Sequence, residues 1–306
     1  MKNTTIIGLI VLAVLAVAAV AGIVYLAPKP VAPIETPPEL MPDAATTTPA
    51  APEDAAIVPA TGREIIGTSA GGNPIEAYHY GTGDTELLFV GGIHGAYEWN
   101  TSLLMYQFMD YLDANPAAVA ANERVTIIPQ LNPDGVQKIA GAAGRFSASD
   151  IPAGADTVPG RYNARGVDLN RNFDCDWQAQ GTWQNHPVSG GTAAFSEPES
   201  QAVRAYVAAH QPKAAVVWYS AAGGVYSSNC HGGVLPETKA LTDAFAQASG
   251  YPGHESFDFY AITGDMVNWL AKGNVPAISV LLSSHDSTEW EKNKAGITAV
   301  LARYAK

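Results

Sequence analysis

Positive charge is scarce in this chain. Its 306 residues include 17 Lys and Arg against 29 Asp and Glu, which gives a formal net charge of −12. A nucleic-acid-binding surface must be basic to meet the phosphates, so nucleic acid is excluded as an expected partner. The surplus of negative charge favours solubility but carries no information about the fold.

Cysteine is also scarce, because Cys175 and Cys230 are the only two in the chain. An even number of cysteines in an exported protein predicts a disulfide. The alternative is a pair of unpaired buried thiols, as expected for a chain that stays in the cytosol. Whether a disulfide or two free thiols are expected depends on whether the chain is exported. The amino terminus carries the evidence on export.

Residues 6–26 form an uninterrupted apolar run. A membrane span needs roughly 20 such residues, whereas the apolar core of a cleaved signal peptide is usually about 7–15. Residues 1–27 are therefore predicted to be a transmembrane signal anchor, with a signal peptide as the alternative. The folded part is expected outside the cytoplasm, anchored to the membrane or secreted if the segment is cleaved.

The remainder divides into a linker and one domain. Residues 28–61 are rich in Pro, Ala and Thr, cannot bury enough apolar surface to fold and are predicted to be a disordered linker. Residues 62–306 alternate short apolar runs with amphipathic segments and can bury one core.

The apolar runs of this domain are nearly continuous, as expected of strands that are covered on both faces. The predicted strands are 86–91, 124–129, 213–219 and 276–282, and the predicted helices are 100–112, 197–210, 237–249, 264–271 and 287–304. Their alternation predicts an α/β fold with a mixed, largely parallel central sheet and helices on both faces. Functional sites in such folds gather at the carboxyl ends of the strands.

Candidate metal ligands lie at one such end, in "GGIHGAYEWN", where His94 and Glu98 follow a predicted strand. Alone, such a pair more often has a structural role. Three further motifs follow in order: "NPDG" at 132–135, "GRYNARGVDLNRNF" at 160–173 and "FYAITGDMVNWLAKGNVPAISV" at 259–280. Together they resemble the zinc carboxypeptidase family, the relatives of carboxypeptidase A, in a bacterial form.

The resemblance implies a zinc site in which His94 and Glu98 are the first two ligands and water occupies an open position. It implies that Asp168 accepts the second ring N–H of His94 and so fixes the tautomer of the imidazole. Zinc is therefore the expected cofactor, although two substitutions described below predict that it is bound weakly or not at all.

The resemblance also assigns the substrate-binding residues. Asn170 and Arg171 match the pair that grips the terminal carboxylate, for which an arginine fork is suited. Arg161 matches the catalytic arginine that stabilises the oxyanion, and Arg165 is the rival candidate. Tyr260 matches the mobile tyrosine that covers bound substrate. A further match, Val267 at the specificity-pocket position, predicts an apolar pocket.

Two catalytic positions depart from the family pattern. The position of the third zinc ligand, a histidine in relatives, holds Tyr219, and the position of the general-base glutamate holds Leu281. A tyrosine, with a pKa near 10, binds metal as phenolate only after losing its proton. Without a positioned base, attack by water loses roughly 10²–10⁴-fold. Three residues could compensate: His231, His285 and Glu289. His285 and Glu289 lie in a segment that also resembles the family and are interpreted as framework.

These features predict an exported, catalytically impaired pseudoenzyme that recognises the C-termini of peptides or cell-wall peptides. The first alternative is an active zinc-dependent carboxypeptidase with altered ligands. The second is a structural, membrane-anchored domain that leaves its carboxylate-binding pair unused.

Overall fold

In the computed structural model of the chain, residues 62–306 are described. The predicted anchor and linker, residues 1–27 and 28–61, lie outside the described residues. Within 62–306, no helix combines the length and the hydropathy that a membrane span requires.

An eight-stranded sheet, in the order β1-β2-β4-β3-β7-β10-β8-β9, forms the centre of the domain. Its strands are β1 Gly62–Thr68, β2 Pro74–Tyr80, β3 Thr85–Val90, β4 Glu123–Ile128, β7 Ala214–Ser220, β8 Gly224–Ser227, β9 Gly253–His254 and β10 Ala277–Leu282. The central strands β4, β3, β7 and β10 are parallel to one another, whereas β1, β2 and β8 pair antiparallel. The predicted mixed, largely parallel sheet is confirmed. A separate hairpin pairs β5 Gln180–Trp183 with β6 His186–Ser189.

Within the described residues, six α-helices accompany the sheet. They are α1 Trp99–Ala114, α2 Pro133–Ala140, α3 Pro198–His210, α4 Pro236–Ser249, α5 Met266–Lys272 and α6 Trp290–Tyr304. Three of them begin at a proline, whose missing N–H would have no partner in the first helical turn anyway. The short helix α2 was not predicted. It is capped by the Asn132 side chain, which accepts a hydrogen bond of 2.9 Å from the Gly135 N–H.

Helices cover both faces of the sheet, as predicted. Successive residues of a strand point to opposite faces, so each central strand supplies two apolar layers. Phe89 and Trp218 belong to the buried layer that also contains apolar residues of α1, α4 and α6. Val90 and Tyr219 belong to the layer that also contains residues of α3 and α5.

The fold brings the ends of three parallel strands to one edge. Val90 ends β3 and is the register partner of Val217 in β7, while Tyr219 of β7 is the register partner of Leu281 in β10. The segments that follow these strands therefore meet at this edge.

The predicted disulfide between Cys175 and Cys230 is present, with the two Cα atoms 6.1 Å apart. The alternative of two unpaired thiols is therefore wrong. The bond ties the segment that follows the "DLNRNF" motif to the segment that follows β8.

Candidate active site

A tight turn presents His94 and Glu98. The 3₁₀ turn Gly95–Glu98 joins β3 to α1. Gly95 has a φ of +47°, and a Cβ at this position would lie 2.5 Å from the Gly160 carbonyl oxygen, so the turn requires glycine. The turn brings His94 Nδ1 to 3.0 Å from Glu98 Oε2. Because α1 starts directly after Glu98, the positive end of the helix favours the carboxylate.

These two side chains contain unsatisfied buried atoms. Both ring nitrogens of His94 and Oε2 of Glu98 are buried, and none of these atoms makes a hydrogen bond of suitable angle, although Nδ1 and Oε2 are 3.0 Å apart. Such atoms are rare in native proteins, where buried polar groups nearly always have a partner. An imidazole nitrogen and a carboxylate oxygen are also good zinc ligands, so this pair fits two positions of a metal site.

The position expected to hold the third zinc ligand, Tyr219, does not fit a zinc site. The Tyr219 ring centre is 5.7 Å from that of His94, and the hydroxyl donates to Asn170 Oδ1 over 3.2 Å. Burial, together with the Asp265 and Glu98 carboxylates, raises the pKa of Tyr219 well above its usual value. The side chain is therefore a neutral phenol at neutral pH. Within 62–306, no three His, Cys, Asp or Glu side chains lie close enough to share a metal. Within the described residues, His94 and Glu98 fit two of the three protein ligands that a catalytic zinc site takes.

Leu281 lies beside Tyr219 in the sheet, because the two are register partners in β10 and β7. Both side chains line the same cavity. An aliphatic side chain exchanges no proton, so Leu281 supplies no general base. The two predicted replacements thus lie at adjacent positions of one cavity.

The possible replacements differ in location. His231 is 75% exposed and pairs with Asp176 over 2.7 Å, while Glu289 accepts a hydrogen bond from the Tyr251 hydroxyl over 2.8 Å. Neither lines the cavity. His285 does line it, with Nδ1 2.9 Å from Ser220 Oγ. His285 therefore belongs to the wall of the site as well as to the framework.

Arg161 and Asp168 form a buried ion pair behind His94. Arg161 Nε and Nη2 lie 2.9 Å and 2.8 Å from Asp168 Oδ2, and His94 Nε2 lies 3.4 Å from Asp168 Oδ1. Burial alone would raise the pKa of Asp168, but the Arg161 and His94 charges outweigh burial and hold the pKa well below its usual value. The carboxylate therefore stays ionised. The rival Arg165 is 57% exposed and lies outside the cavity.

The Arg171 guanidinium is anchored by backbone carbonyls. Nε and Nη2 donate to the Thr182 oxygen over 3.2 Å and 2.8 Å, and Nη1 donates to the Asn170 oxygen over 2.7 Å. Two of the five N–H groups of a guanidinium are left for a ligand. The Tyr260 ring centre lies 6.0 Å from Arg171 Cζ, so the expected covering tyrosine is next to the expected clamp.

A cavity of about 920 Å³ joins these elements. Seven residues to which the resemblance assigned a ligand, catalytic or substrate-binding role line it: His94, Glu98, Arg161, Asn170, Arg171, Tyr260 and Val267. Asp168 is the exception, because it is buried behind His94. Trp183 of the β5–β6 hairpin, which the sequence did not single out, also lines the cavity and lies 4.5 Å from Arg161 Cζ.

The comparisons with known proteins agree with the motifs. Residues 59–288 match the family model described as zinc carboxypeptidase. This chain belongs to the zinc carboxypeptidase family. The catalytic chain of carboxypeptidase N from Mus musculus is 29% identical over 180 residues, 53% of this chain and 35% of the relative. The chain thus spans about a third of that relative's length. The gamma-D-glutamyl-L-diamino acid endopeptidase 1 of Lysinibacillus sphaericus is 25% identical over 217 residues, 64% of this chain and 54% of the relative.

Solved structures share the zinc carboxypeptidase fold. The murein-tripeptide amidase MpaA from Escherichia coli O157 superposes with a TM-score of 0.56 at 21% identity, covering 82% of this chain and 95% of its own. The carboxypeptidase A from Helicoverpa armigera gives a TM-score of 0.59 at 19% identity, covering 80% and 69% respectively. At these identities the likeness concerns the fold alone.

In this zinc carboxypeptidase domain, Asp265 is a site residue that sequence reasoning missed. It lies at the N-terminal end of α5, and its Oδ1 is buried without a hydrogen-bond partner. Burial raises the pKa of the carboxyl to about 6, against an opposing effect of Arg171. Asp265 lines the cavity together with Val267. This part of the cavity therefore carries a carboxyl group beside the apolar side chain from which an apolar pocket was predicted. The only sequence signal was an acid after Gly264 inside a recognised motif.

Replacing Asp265 with Asn should change how stability depends on pH. The pKa is raised from 3.8 to about 6, so between these values the native state keeps a proton that the unfolded chain releases. The free energy of unfolding of the wild-type chain therefore falls by about 3 kcal/mol as the pH rises through this window, whereas that of the variant does not. Urea unfolding should show the variant gaining relative to wild type from about pH 4 to about pH 7. A difference that stays constant with pH, or that matches the exposed control Asp243→Asn, would contradict this prediction.

Proposed function

We propose that this member of the zinc carboxypeptidase family binds the C-termini of peptides and hydrolyses them poorly or not at all. One observation carries the proposal. The adjacent positions expected to hold the third zinc ligand and the general base are Tyr219 and Leu281, while Asn170 and Arg171 line the same cavity. The residues suited to recognition are kept, and two of the residues suited to chemistry are replaced.

Recognition of the terminal carboxylate is proposed to use the N–H donors of Arg171 and Asn170 that are not already bonded within the protein. Arg171 has N–H groups left after its bonds to the backbone, and a carboxylate can accept two of them at once. Asn170 accepts from Tyr219 and from the Met266 N–H through Oδ1, which leaves its amide NH₂ as a further donor. An amidated C-terminus would lose the charge-assisted part of this interaction.

The peptide ligand is proposed to come from outside the cytoplasm. Residues 1–27 would hold the domain at the membrane, or direct its secretion if they are cleaved. Cell-wall peptides are one such pool. The description of one structural neighbour as a murein-tripeptide amidase, and of one relative as a gamma-D-glutamyl-L-diamino acid endopeptidase, supports this choice.

An active zinc carboxypeptidase is the second candidate. It is favoured by His94 Nδ1 and Glu98 Oε2, which are buried without partners and only 3.0 Å apart. The full-length chain in detergent should be analysed for bound metal and assayed for release of C-terminal residues from a peptide mixture. Absence of turnover at any zinc content agrees with the binding role, whereas stoichiometric zinc with turnover would establish the active enzyme instead.

Replacing Arg171 with Ala should weaken binding of a peptide with a free C-terminus by about 2 kcal/mol, roughly 30-fold, because the carboxylate loses its forked partner. Arg171→Lys should recover only part of this affinity, because lysine keeps the charge without the fork. Calorimetric titration measures both. The exposed Arg165→Ala is the control and should bind as wild type does. Equal binding of the free and amidated peptides to the wild-type chain would refute the carboxylate clamp.

A further inference from the structure

We propose that His285 is a further ligand-binding residue of the cavity, in which Nε2 accepts a hydrogen bond from a backbone N–H of the bound peptide. The inference rests on the proposed function, because it assumes that a peptide C-terminus occupies the cavity. It adds the group that recognises the main chain preceding the terminal carboxylate.

The Asn100 side chain, in the first turn of α1, is oriented by two backbone carbonyls. It is fully buried and donates through Nδ2 to the oxygens of Ser284 and Ser287 over 2.7 Å and 2.9 Å. Both N–H groups of the amide are thereby used, and Oδ1 lies 3.2 Å from Ser220 Oγ. A buried amide oxygen needs a donor, so the single proton of the Ser220 hydroxyl goes to Asn100.

The direction of this bond sets the state of the His285 ring. Nδ1 of His285 lies 2.9 Å from Ser220 Oγ. Because the hydroxyl proton already goes to Asn100, the bond between serine and histidine must use a proton on Nδ1, with Oγ as the acceptor. A neutral imidazole has one N–H, so Nε2 then carries a lone pair and accepts. The chain from Asn100 to His285 thus selects one of the two tautomers.

Nε2 of His285 is open to a ligand. The residue lines the cavity, and within 62–306 its Nε2 makes no hydrogen bond. Nε2 is also not among the side-chain atoms that are sealed from solvent without a partner, so it is accessible. The ring packs against that of Tyr97, with the two ring centres 4.7 Å apart, and this contact restricts its rotation.

A peptide main chain requires acceptors as well as donors. Arg161 and Arg171 line the cavity, and guanidinium groups only donate. Leu281 lines it without a polar side-chain atom. A backbone N–H that leaves water without finding an acceptor weakens binding. His285 Nε2 supplies such an acceptor, held in place by its bond to Ser220 at the end of β7.

The test pairs a change in His285 with removal of the ligand N–H. Two non-hydrolysable analogues carry CH₂ in place of the N–H of the last or the second-last peptide bond and otherwise match the parent peptide. Calorimetric titration of the full-length chain in detergent at pH 8, where histidine side chains are usually neutral, should show one analogue binding about three- to tenfold more weakly than the parent. In His285→Phe, which keeps a ring beside Tyr97, parent and analogue should bind equally. The exposed control His231→Phe should retain the difference.

Nitrogen-15 NMR at the same pH reads the tautomer independently of any ligand. The wild-type chain should show Nδ1 of His285 protonated and Nε2 unprotonated. Ser220→Ala should leave both tautomers populated, because it breaks the chain to Asn100, whereas a structural role of the serine alone would not move this signal. A wild-type ring with a proton on Nε2 would overturn the inference.

The binding outcomes separate the inference from the proposed function. If both analogues bind the wild-type chain as tightly as the parent, or if their weaker binding persists in His285→Phe, then His285 does not accept the peptide N–H, although the carboxylate clamp still stands. Failure of the parent peptide itself to bind would refute the proposed function.

Discussion

The double variant Tyr219→His with Leu281→Glu is expected to acquire both zinc and peptidase turnover. The introduced histidine would join His94 and Glu98 as a third ligand, which is the number that catalytic zinc sites use. The introduced glutamate would stand beside that histidine in the sheet, because Tyr219 and Leu281 are register partners. A positioned general base is worth roughly 10²–10⁴-fold in rate, so release of C-terminal residues should rise by at least about 100-fold over wild type.

The two single variants should separate the gain in zinc binding from the gain in turnover. Tyr219→His alone should raise the zinc content measured by mass spectrometry with little turnover, because the base is still missing. Leu281→Glu alone should gain neither zinc nor turnover, because it leaves the ligand set at two. If the folded double variant binds no zinc, then Tyr219 does not stand at the third ligand position and the proposed function loses its main support.

Of the single variants, Arg161→Ala should lose the most stability against unfolding. Arg161 is fully buried and bonds Asp168 through two nitrogens, at 2.9 Å and 2.8 Å. Removing one partner of a buried ion pair leaves the other charge uncompensated, which costs about 3–5 kcal/mol. The loss also removes the packing of the guanidinium against Trp183. Urea unfolding followed by circular dichroism measures the change.

Arg165→Ala is the matched control, since this arginine is 57% exposed and its carboxylate partner lies 3.5 Å away. An exposed pair of this kind contributes about 0–1 kcal/mol. The double variant Arg161→Ala with Asp168→Ala should be more stable than Arg161→Ala alone, because no unpaired charge remains. If Arg161→Ala and Arg165→Ala destabilise equally, the buried pair is not what holds this part of the site together.

The continuous apolar runs predicted the centre of the fold. Strands β3, β4, β7 and β10 and helices α1, α3, α4, α5 and α6 lie where the pattern indicated, because burial on both faces requires such runs. The elements that were missed are short or half exposed. Strand β1, for example, has no fully buried residue and is ordered by its pairing with β2. Its sequence carries too weak a pattern to predict it.

The motifs likewise predicted which residues assemble, since His94, Arg171 and Tyr260 line one cavity although they come from three separate motifs. Three features of the site depend on contacts between distant segments and were not predicted. Trp183 reaches Arg161 from a separate hairpin, His285 lies on the cavity wall, and Asp265 Oδ1 is buried without a hydrogen-bond partner.

The sequence by itself determined the family, and it predicted the residues of the carboxylate clamp and the replacement of two catalytic residues by Tyr219 and Leu281, because motif positions are read from residue identity without coordinates. Only the tertiary structure decided that the Tyr219 hydroxyl is bonded to Asn170, that the Arg161–Asp168 pair is sealed from solvent, and that Asp265 faces the cavity without a counter-ion. The burial of an ionisable side chain and its hydrogen-bond or ion-pair partners arise from the packing of distant segments. Together they set the charge state of that side chain.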